Sequence, residues 1–313
     1  MTPAALNVED FAQGKVRIFE TKIQPGSQLA DIPLKDLRLP QDVLAGLIFR
    51  NNRMIIPHGD DYLLPNDNTF FVGASGEIEK FSKHFAGTGI KAPERVMIIG
   101  AGRTGRTLAS MLDKQGIQVK VIEKDAERSR MVAERIEEGI VVRGDGTDID
   151  LLTQEGVGEA DVVICLTADD KLNLMLALLA KHLGAARTVV RVARIEYVEL
   201  MKKVGVDIVL SSRLLAAGEI LAFARRGGVV SVALLEGAKA EAVEVIVQKG
   251  AYVENKKLMD LQLPKECLIC AFVRDDEAFV PTGQSSLQAG DRAILFIRME
   301  FANKVMKYFA GKA

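Results

Sequence analysis

The chain of 313 residues is long enough for about two or three domains, and 48% hydrophobic with 27% charged residues is the ordinary balance of a globular protein that buries cores. A formal net charge of −1, with acids and bases interspersed, supplies no basic block for nucleic acid and no basic amphipathic stretch for a lipid surface. No run approaches the ~18 apolar residues of a membrane span and no secretory pattern opens the chain, so the expected location is cytoplasmic, with direct membrane insertion excluded.

In chain order, an alternating strand is expected over 16–23, then a short helical stretch that stops at Leu39-Pro40, then an apolar strand over 43–49. The polar turn Asn51-Asn52-Arg53 reverses the chain into another strand, and Asn66-Asp67 leads into a last one. His84 falls in an expected inter-domain helix. With no Trp and 5% aromatics, the cores should be built from Ile, Val, Leu and Ala.

From about residue 93 to 228 strands alternate with helices, the order of a parallel sheet with right-handed crossovers. The buried-strand run 95–99 ends in Gly100-Ala101-Gly102-Arg103-Thr104-Gly105, and a helix is expected over 107–114. In that strand–loop–helix setting Gly100 permits the tight turn, Gly102 lets a pyrophosphate approach the backbone, and Gly105 lets helix pack on strand. The free N–H groups and dipole of the helix start favour a diphosphate. The next strand, 119–122, ends in Glu123, a carboxylate able to accept from both ribose hydroxyls; it disfavours a 2′-phosphate, an effect that Lys124 softens.

Three further strand ends border the same crevice. Asp145, in Gly144-Asp145-Gly146-Thr147, stands either to read an adenine edge or to cap the next helix. Strand 161–166 leads to Thr167-Ala168-Asp169-Asp170, where either aspartate is suited to an N-cap. Arg191, in strand 189–192, reaches for phosphate or forms a surface ion pair.

After the sixth strand, Ser211-Ser212 is a good N-cap and Arg225-Arg226-Gly227-Gly228 a stop. Between them Leu214, Leu215, Ala216, Ala217, Ile220, Leu221 and Phe223 surround most of a helix, which must be covered on nearly all sides, by this chain or by a second one. The strand runs 242–247 and 267–273 follow. Cys267 and Cys270 have CxxC spacing, but in an apolar strand they face opposite sides and lack a second ligand pair, so core packing is expected. With Cys165 the cysteine count is odd, which argues against a disulfide framework.

The chain also repeats itself. Asp36-Leu37-Arg38-Leu39-Pro40 recurs as Asp260-Leu261-Gln262-Leu263-Pro264, a shift of 224 residues. The same shift pairs Val8 with Val232, Glu20 with Glu244, Arg50 with Arg274, Gly59 with Gly283 and Asp67 with Asp291. The two ends are therefore copies of one small domain. The expected fold class is α/β, a Rossmann-like parallel-sheet domain flanked by two copies of a small α+β domain.

These motifs resemble the RCK/KTN family. The glycine loop, Glu123, Gly144-Asp145-Gly146-Thr147 and Thr167-Ala168-Asp169-Asp170-Lys171-Leu172-Asn173 resemble its nucleotide-binding TrkA-N domain, and the two Asp-Leu-x-Leu-Pro copies resemble its TrkA-C (RCK-C) domain. The resemblance implies TrkA-C at 1–80, a linker at 81–93, TrkA-N with its crossover helix at 94–226, and TrkA-C again at 227–313. It implies binding of NAD(H), alternatively ATP or ADP, by Gly100, Ala101, Gly102, Arg103, Thr104, Glu123, Thr167, Ala168 and Arg191. It further implies self-association as a dimer or larger ring, the crossover helix packing into a neighbouring subunit, and a Trk-type membrane potassium transporter as partner. Relatives with two tandem units carry a first Rossmann domain that this chain is expected to lack. None of His58, His84 and His182 is placed as a general acid, so a sensor is favoured over an NAD-dependent oxidoreductase.

Overall fold

The computed structural model describes residues 5–40, 42–51, 53–85, 93–225, 228–236 and 238–311. The chain divides into two compact units, one holding residues 91–213 and the other combining the chain up to residue 90 with residues 214–313.

The N-terminal small domain has strands β1 (Ala5–Phe11), β2 (Val16–Lys22), β3 (Val43–Arg50), β4 (Arg53–Ile55) and β5 (Asn68–Ala74), followed by helix α1 (Ser75–Phe85). They form an antiparallel sheet in the order β1-β2-β5-β3-β4. The helical stretch expected before Leu39-Pro40 is a single 3-10 turn, Leu34–Asp36. Strand β1 is an addition to the expected elements and pairs only with β2, at the sheet edge. Helix α1 is not inter-domain: Ile78 and Phe81 bury against Phe19, Ile48 and Phe71 of the domain's own sheet. It runs five residues into the stretch expected as linker, whose residues 86–92 lie outside the described ones, as does Asn52 of the first turn.

The parallel sheet contains β6 (Arg95–Ile99), β7 (Gln118–Glu123), β8 (Ile140–Arg143), β9 (Val162–Cys165), β10 (Thr188–Val192) and β11 (Ile208–Ser211). Its crossovers include α2 (Arg103–Asp113), α3 (Ala126–Ala133), α4 (Ile149–Gln154), α5 (Asp170–His182) and α6 (Glu196–Val204). The order β11-β10-β9-β6-β7-β8 is that of a doubly wound Rossmann sheet. Its core is aliphatic as expected, from Met97, Ile99, Ile122, Val163 and Val190 on one face to Val96, Ile98, Val119 and Val121 on the other.

Helix α7 (Ser212–Ala224) leads to β12 (Val229–Leu235), β13 (Ala240–Ile246), β14 (Cys267–Arg274), β15 (Glu277–Phe279), β16 (Arg292–Arg298) and α8 (Ala302–Phe309). Residues 226–227 of the expected helix stop lie outside the described ones. The second small sheet, β12-β13-β16-β14-β15, repeats the first down to its register. Val8 opposes Phe19 as Val232 opposes Val243, and the irregularity between Ala45 and Leu47 recurs between Ile269 and Ala271. Phenylalanine concentrates in these domains: Phe70, Phe71, Phe81, Phe296 and Phe309 are among the largest fully buried side chains. That departs from the aliphatic expectation, because the aromatics are few but unevenly placed.

The inner faces of the two small sheets share one core, in which Phe11, Val16, Ile18, Leu47, Phe49, Phe70 and Val72 meet Leu235, Ala240, Ala242, Cys270, Ala271, Val273, Ile294 and Phe296. The outer faces have cores of their own, under α1 and α8 respectively. Cys270 lies in the shared core and Cys267 packs against the outer one, so the CxxC pair is split across the sheet. Burial pushes the Cys267 thiol up to about 12 and raises the Cys270 thiol well above its ordinary value, leaving both as apolar packing groups.

Each copy also repeats one buried ion pair. Arg50 donates to Asp67 from Nε (3.0 Å) and Nη2 (2.8 Å) and to the Tyr62 carbonyl (2.7 Å), while Asp67 accepts from Leu64 N–H (2.8 Å). Arg274 makes the same bonds to Asp291 (2.9 and 2.7 Å) and the Ser286 carbonyl (2.9 Å), with Gln288 N–H donating to Asp291 (2.7 Å). Asp67 and Asp291 are 2% and 3% exposed, so removing one strands an arginine and a backbone N–H. Asp291→Ala should therefore lower stability by about 2–4 kcal/mol in urea unfolding, whereas Lys35→Ala, which breaks an exposed pair with Asp60, should change it by less than about 1 kcal/mol.

Candidate functional site

Strand order reverses between β6 and β9, so the loops after these two strands part and leave a crevice at their carboxyl ends. A cleft of about 620 Å³ occupies it, within the range of small-molecule sites. Gly100, Gly102, Arg103, Thr104, Glu123, Asp145, Thr167, Ala168 and Arg191 all line it. Ala101 and Gly105 lie buried beneath.

The glycine loop is shaped by one close approach. A Cβ on Gly105 would lie 2.1 Å from the Gly100 carbonyl oxygen, so the helix can enter only where no side chain exists. Gly100 itself has φ +104, a left-handed conformation. A Cβ on Gly102 would meet nothing within 4 Å, which leaves open space above the backbone at the head of α2. Gly102 is the N-cap, so α2 begins at Arg103, four residues earlier than expected. No side chain caps it, and Gly102, Arg103 and Thr104 at its head line the cleft, where uncapped helix N–H groups suit a diphosphate.

Glu123, 5% exposed, is tied to that loop. Its Oε2 accepts from Ala101 N–H (2.6 Å) and its Oε1 from Asp125 N–H (2.9 Å). Each oxygen keeps a lone pair for a hydroxyl. Asp145 does not cap the next helix, because Asp148 does so by accepting from Leu151 N–H. Asp145 instead accepts from the Thr147 N–H (3.0 Å) and hydroxyl (2.9 Å), which hold its carboxyl below the usual range and keep it ionised in the cleft.

The loop after β9 is held by Asn173, a fully buried amide. Its Oδ1 accepts from Thr167 N–H (2.8 Å) and Oγ1 (2.6 Å), and its Nδ2 donates to the carbonyls of Thr167 (3.1 Å) and Arg191 (3.0 Å). Asp169 caps α5 through Lys171 and Leu172 N–H, and Asp170 accepts from Ala193 and Arg194 N–H. Arg191 forms no ion pair among the described residues; its guanidinium reaches the Thr167 carbonyl at 3.4 Å.

The structure adds Lys124, Arg128, Thr147, Leu172, Leu176 and Ser212 to the lining. Thr147 and Leu172 fall within the quoted motifs, and Lys124 and Ser212 sit beside singled-out positions, but nothing in the sequence marks Arg128 or Leu176 as lining. Among the described residues no histidine lines the cleft, and His182 lies in the last turn of α5; the side chain of His84 is outside the described residues. Among the described residues no group of three or more His, Cys, Asp or Glu could hold a metal ion, and no helix is long and apolar enough to cross a membrane.

Comparison with known proteins matches the TrkA-N domain to residues 96–212 and the TrkA-C domain to residues 18–86 and 242–310. The "Trk system potassium uptake protein TrkA homolog 1" of Methanosarcina mazei is 35% identical over 309 residues, covering 98% of this chain and 69% of that protein. The homologue from Archaeoglobus fulgidus is 35% identical over 307 residues, with 98% and 69% covered. The TrkA protein of Vibrio alginolyticus is 33% identical over 301 residues, with 94% and 65% covered. Among solved structures, "GsuK channel bound to NAD" superimposes with a TM-score of 0.50 at 21% identity, covering 97% of this chain and 55% of that one; it supports the fold.

Two glycine substitutions separate architecture from access. Gly105→Ala should cost about 3 kcal/mol or more in urea unfolding, because the new methyl meets backbone, while Gly102→Ala should stay within about 1 kcal/mol of the parent.

Proposed function

The chain belongs to the TrkA family of potassium-uptake proteins, and from that footing we propose that it is a nucleotide-sensing regulatory subunit that gates a membrane potassium transporter. The observation that carries the nucleotide half is the uncapped head of α2 at Gly102, open above and flanked by Glu123 in the same cleft. The ligand proposed is NAD(H). The N–H groups of Arg103 and Thr104 would hold its diphosphate, and Glu123 the adenine-side ribose hydroxyls. Asp145, an ionised acceptor, would take the adenine amine. Thr167, Ala168 and Arg191 would border the second nucleoside. A dinucleotide so held brings a redox-active ring, but among the described residues the cleft offers no histidine for proton transfer, which supports sensing over turnover.

The transporter half rests on the names of the relatives, proteins of Trk potassium uptake systems. A protein of this kind would act in the cytoplasm, at the membrane only through that partner. We assign the first TrkA-C domain, a linker, the TrkA-N domain and the second TrkA-C domain in that order, with α1 included in the first.

Helix α7 supplies a route from ligand to output. Its first residue, Ser212, lines the cleft. Farther along, Gly218 lies so close to the Val232 carbonyl that a Cβ would stand 2.4 Å from it, and Leu221 and Ala222 pack on the second small domain. Just beyond the helix, Arg225 donates to Glu241 from Nη1 (2.5 Å) and Nη2 (2.9 Å), a bidentate pair with Glu241 fully buried. Nucleotide would shift the population of α7 positions, provided that it binds one of them more tightly. The opposite stripe of α7 exposes Leu215 (60%), Ile220 (65%) and Phe223 (94%), which suits self-association as a dimer or ring.

Titration of NADH into the protein, and potassium flux through a co-reconstituted Trk-type transporter, test both halves. Gly102→Val should weaken NADH binding roughly 100-fold, about 2.7 kcal/mol, without loss of fold; unchanged affinity would remove the diphosphate assignment. Arg225→Gln with Glu241→Gln should bind NADH normally yet lose most of the flux response. Tight nucleotide binding with flux indifferent to it would overturn the regulatory reading, and binding of ATP or ADP without NADH would change the ligand.

A further inference from the structure

The two inner sheet faces are related by the 224-residue repeat, yet their side chains are not alike. At equivalent positions the first copy carries Val16, Ile18, Leu47, Phe49 and Phe70 where the second carries Ala240, Ala242, Ala271, Val273 and Ile294. One position runs the other way. Phe296 in the second copy corresponds to Val72 in the first, and its ring fills the space left by Gly46: a Cβ there would lie 2.7 and 2.9 Å from two ring carbons. The residue equivalent to Gly46 is Cys270, buried in the same core. Phe70 of the first copy meets the same ring edge-on, with centroids 6.2 Å apart.

We propose that these faces are a matched unlike pair, so that the first small domain fits the second and neither fits a copy of itself. A pair of second domains would set each Phe296 ring against a Cys270 side chain instead of a glycine, while Ala240, Ala242 and Ala271 left voids elsewhere. A pair of first domains would bring two rows of Phe, Leu and Ile together in a gap shaped for alanine. Overpacking and cavities each destabilise a core, and specificity of this kind comes from the misfit of the wrong pairing. A buried polar contact reinforces the unlike pairing: Ala12 N–H of the first domain donates to Glu244 Oε2 of the second (3.0 Å), while Arg292 donates to Oε1 of the same carboxylate (2.6 Å). The position equivalent to Arg292 in the first domain is Asn68, so a first-domain pair lacks that cation. Each chain thereby supplies both halves of its own small-domain core, and this face is unavailable for joining like domains of two chains.

Thermal unfolding of the full chain tests the pairing. Gly46→Cys, which copies the second domain into the first, should lower the melting temperature by about 4–8 °C, and Phe296→Val should lower it by a similar amount through a cavity. Their combination should melt well above the sum of the two losses, because the smaller ring position accepts the new side chain. A second set keeps the test decisive if Gly46→Cys fails to fold. Ala240→Val, Ala242→Ile and Ala271→Leu together should abolish cooperative unfolding or cost more than 8 °C, and adding Val16→Ala, Ile18→Ala and Leu47→Ala should recover most of it. Additive losses in the first set, or no recovery in the second, would overturn the proposal.

Discussion

A five-stranded sheet with two apolar faces must be covered twice, and the small domains can cover themselves only once. Helices and long loops shield the outer faces, where Ile78 and Phe81 of α1 go inward in the first domain, and Val305 and Phe309 of α8 with Leu221 and Ala222 of α7 in the second. The inner face is left for the other copy. An apolar face left uncovered costs about 25 cal/mol for each Å² exposed, a heavy loss for a marginally stable domain. The chain therefore returns, after the whole parallel-sheet unit, to complete a core begun in its first ninety residues.

The cleft rests on a contact of the same kind at smaller scale. Gly105 against the Gly100 carbonyl sets where α2 may start, and that start decides where its free N–H groups stand. Glu123 binds the loop from one side through Ala101, and Asn173 holds the opposite wall through Thr167 and Arg191. Both are buried polar groups whose hydrogen bonds are made within the protein, so the walls are positioned before any ligand arrives. Such preorganisation favours binding, since little conformational entropy is lost on association.

Much of this was legible in the residues. The repeat fixed the number and kind of small domains, because register and turn positions follow the sequence spacing: Asp31 and Asn255 take the same left-handed φ, 62 and 58, as equivalent turn residues. The parallel sheet followed from its alternation of apolar runs and helices. Edge strands β1 and β12 lay outside the expected elements, whereas edge strand β4 was marked by the polar turn that precedes it. The start of α2 was misplaced because Arg103-Thr104 has no apolar periodicity; only the glycine contact puts it in helix. The roles of Asp145, Asp169 and Asp170 were ambiguous for the same reason, as capping depends on which backbone N–H lies within reach.

By itself the sequence determined the chemistry present: glycines where a phosphate needs backbone, an acid at the end of the second strand, and two homologous sheets with apolar faces. Local pattern is enough for these, because period and turn chemistry act over a few residues. Tertiary structure decided which groups share a wall. It brought Arg128 and Ser212 to the cleft and tied Glu123 to Ala101, and it set Phe296 into the space at Gly46 from 250 residues away. No periodicity encodes those meetings, since they depend on the volume left when distant elements close on one another.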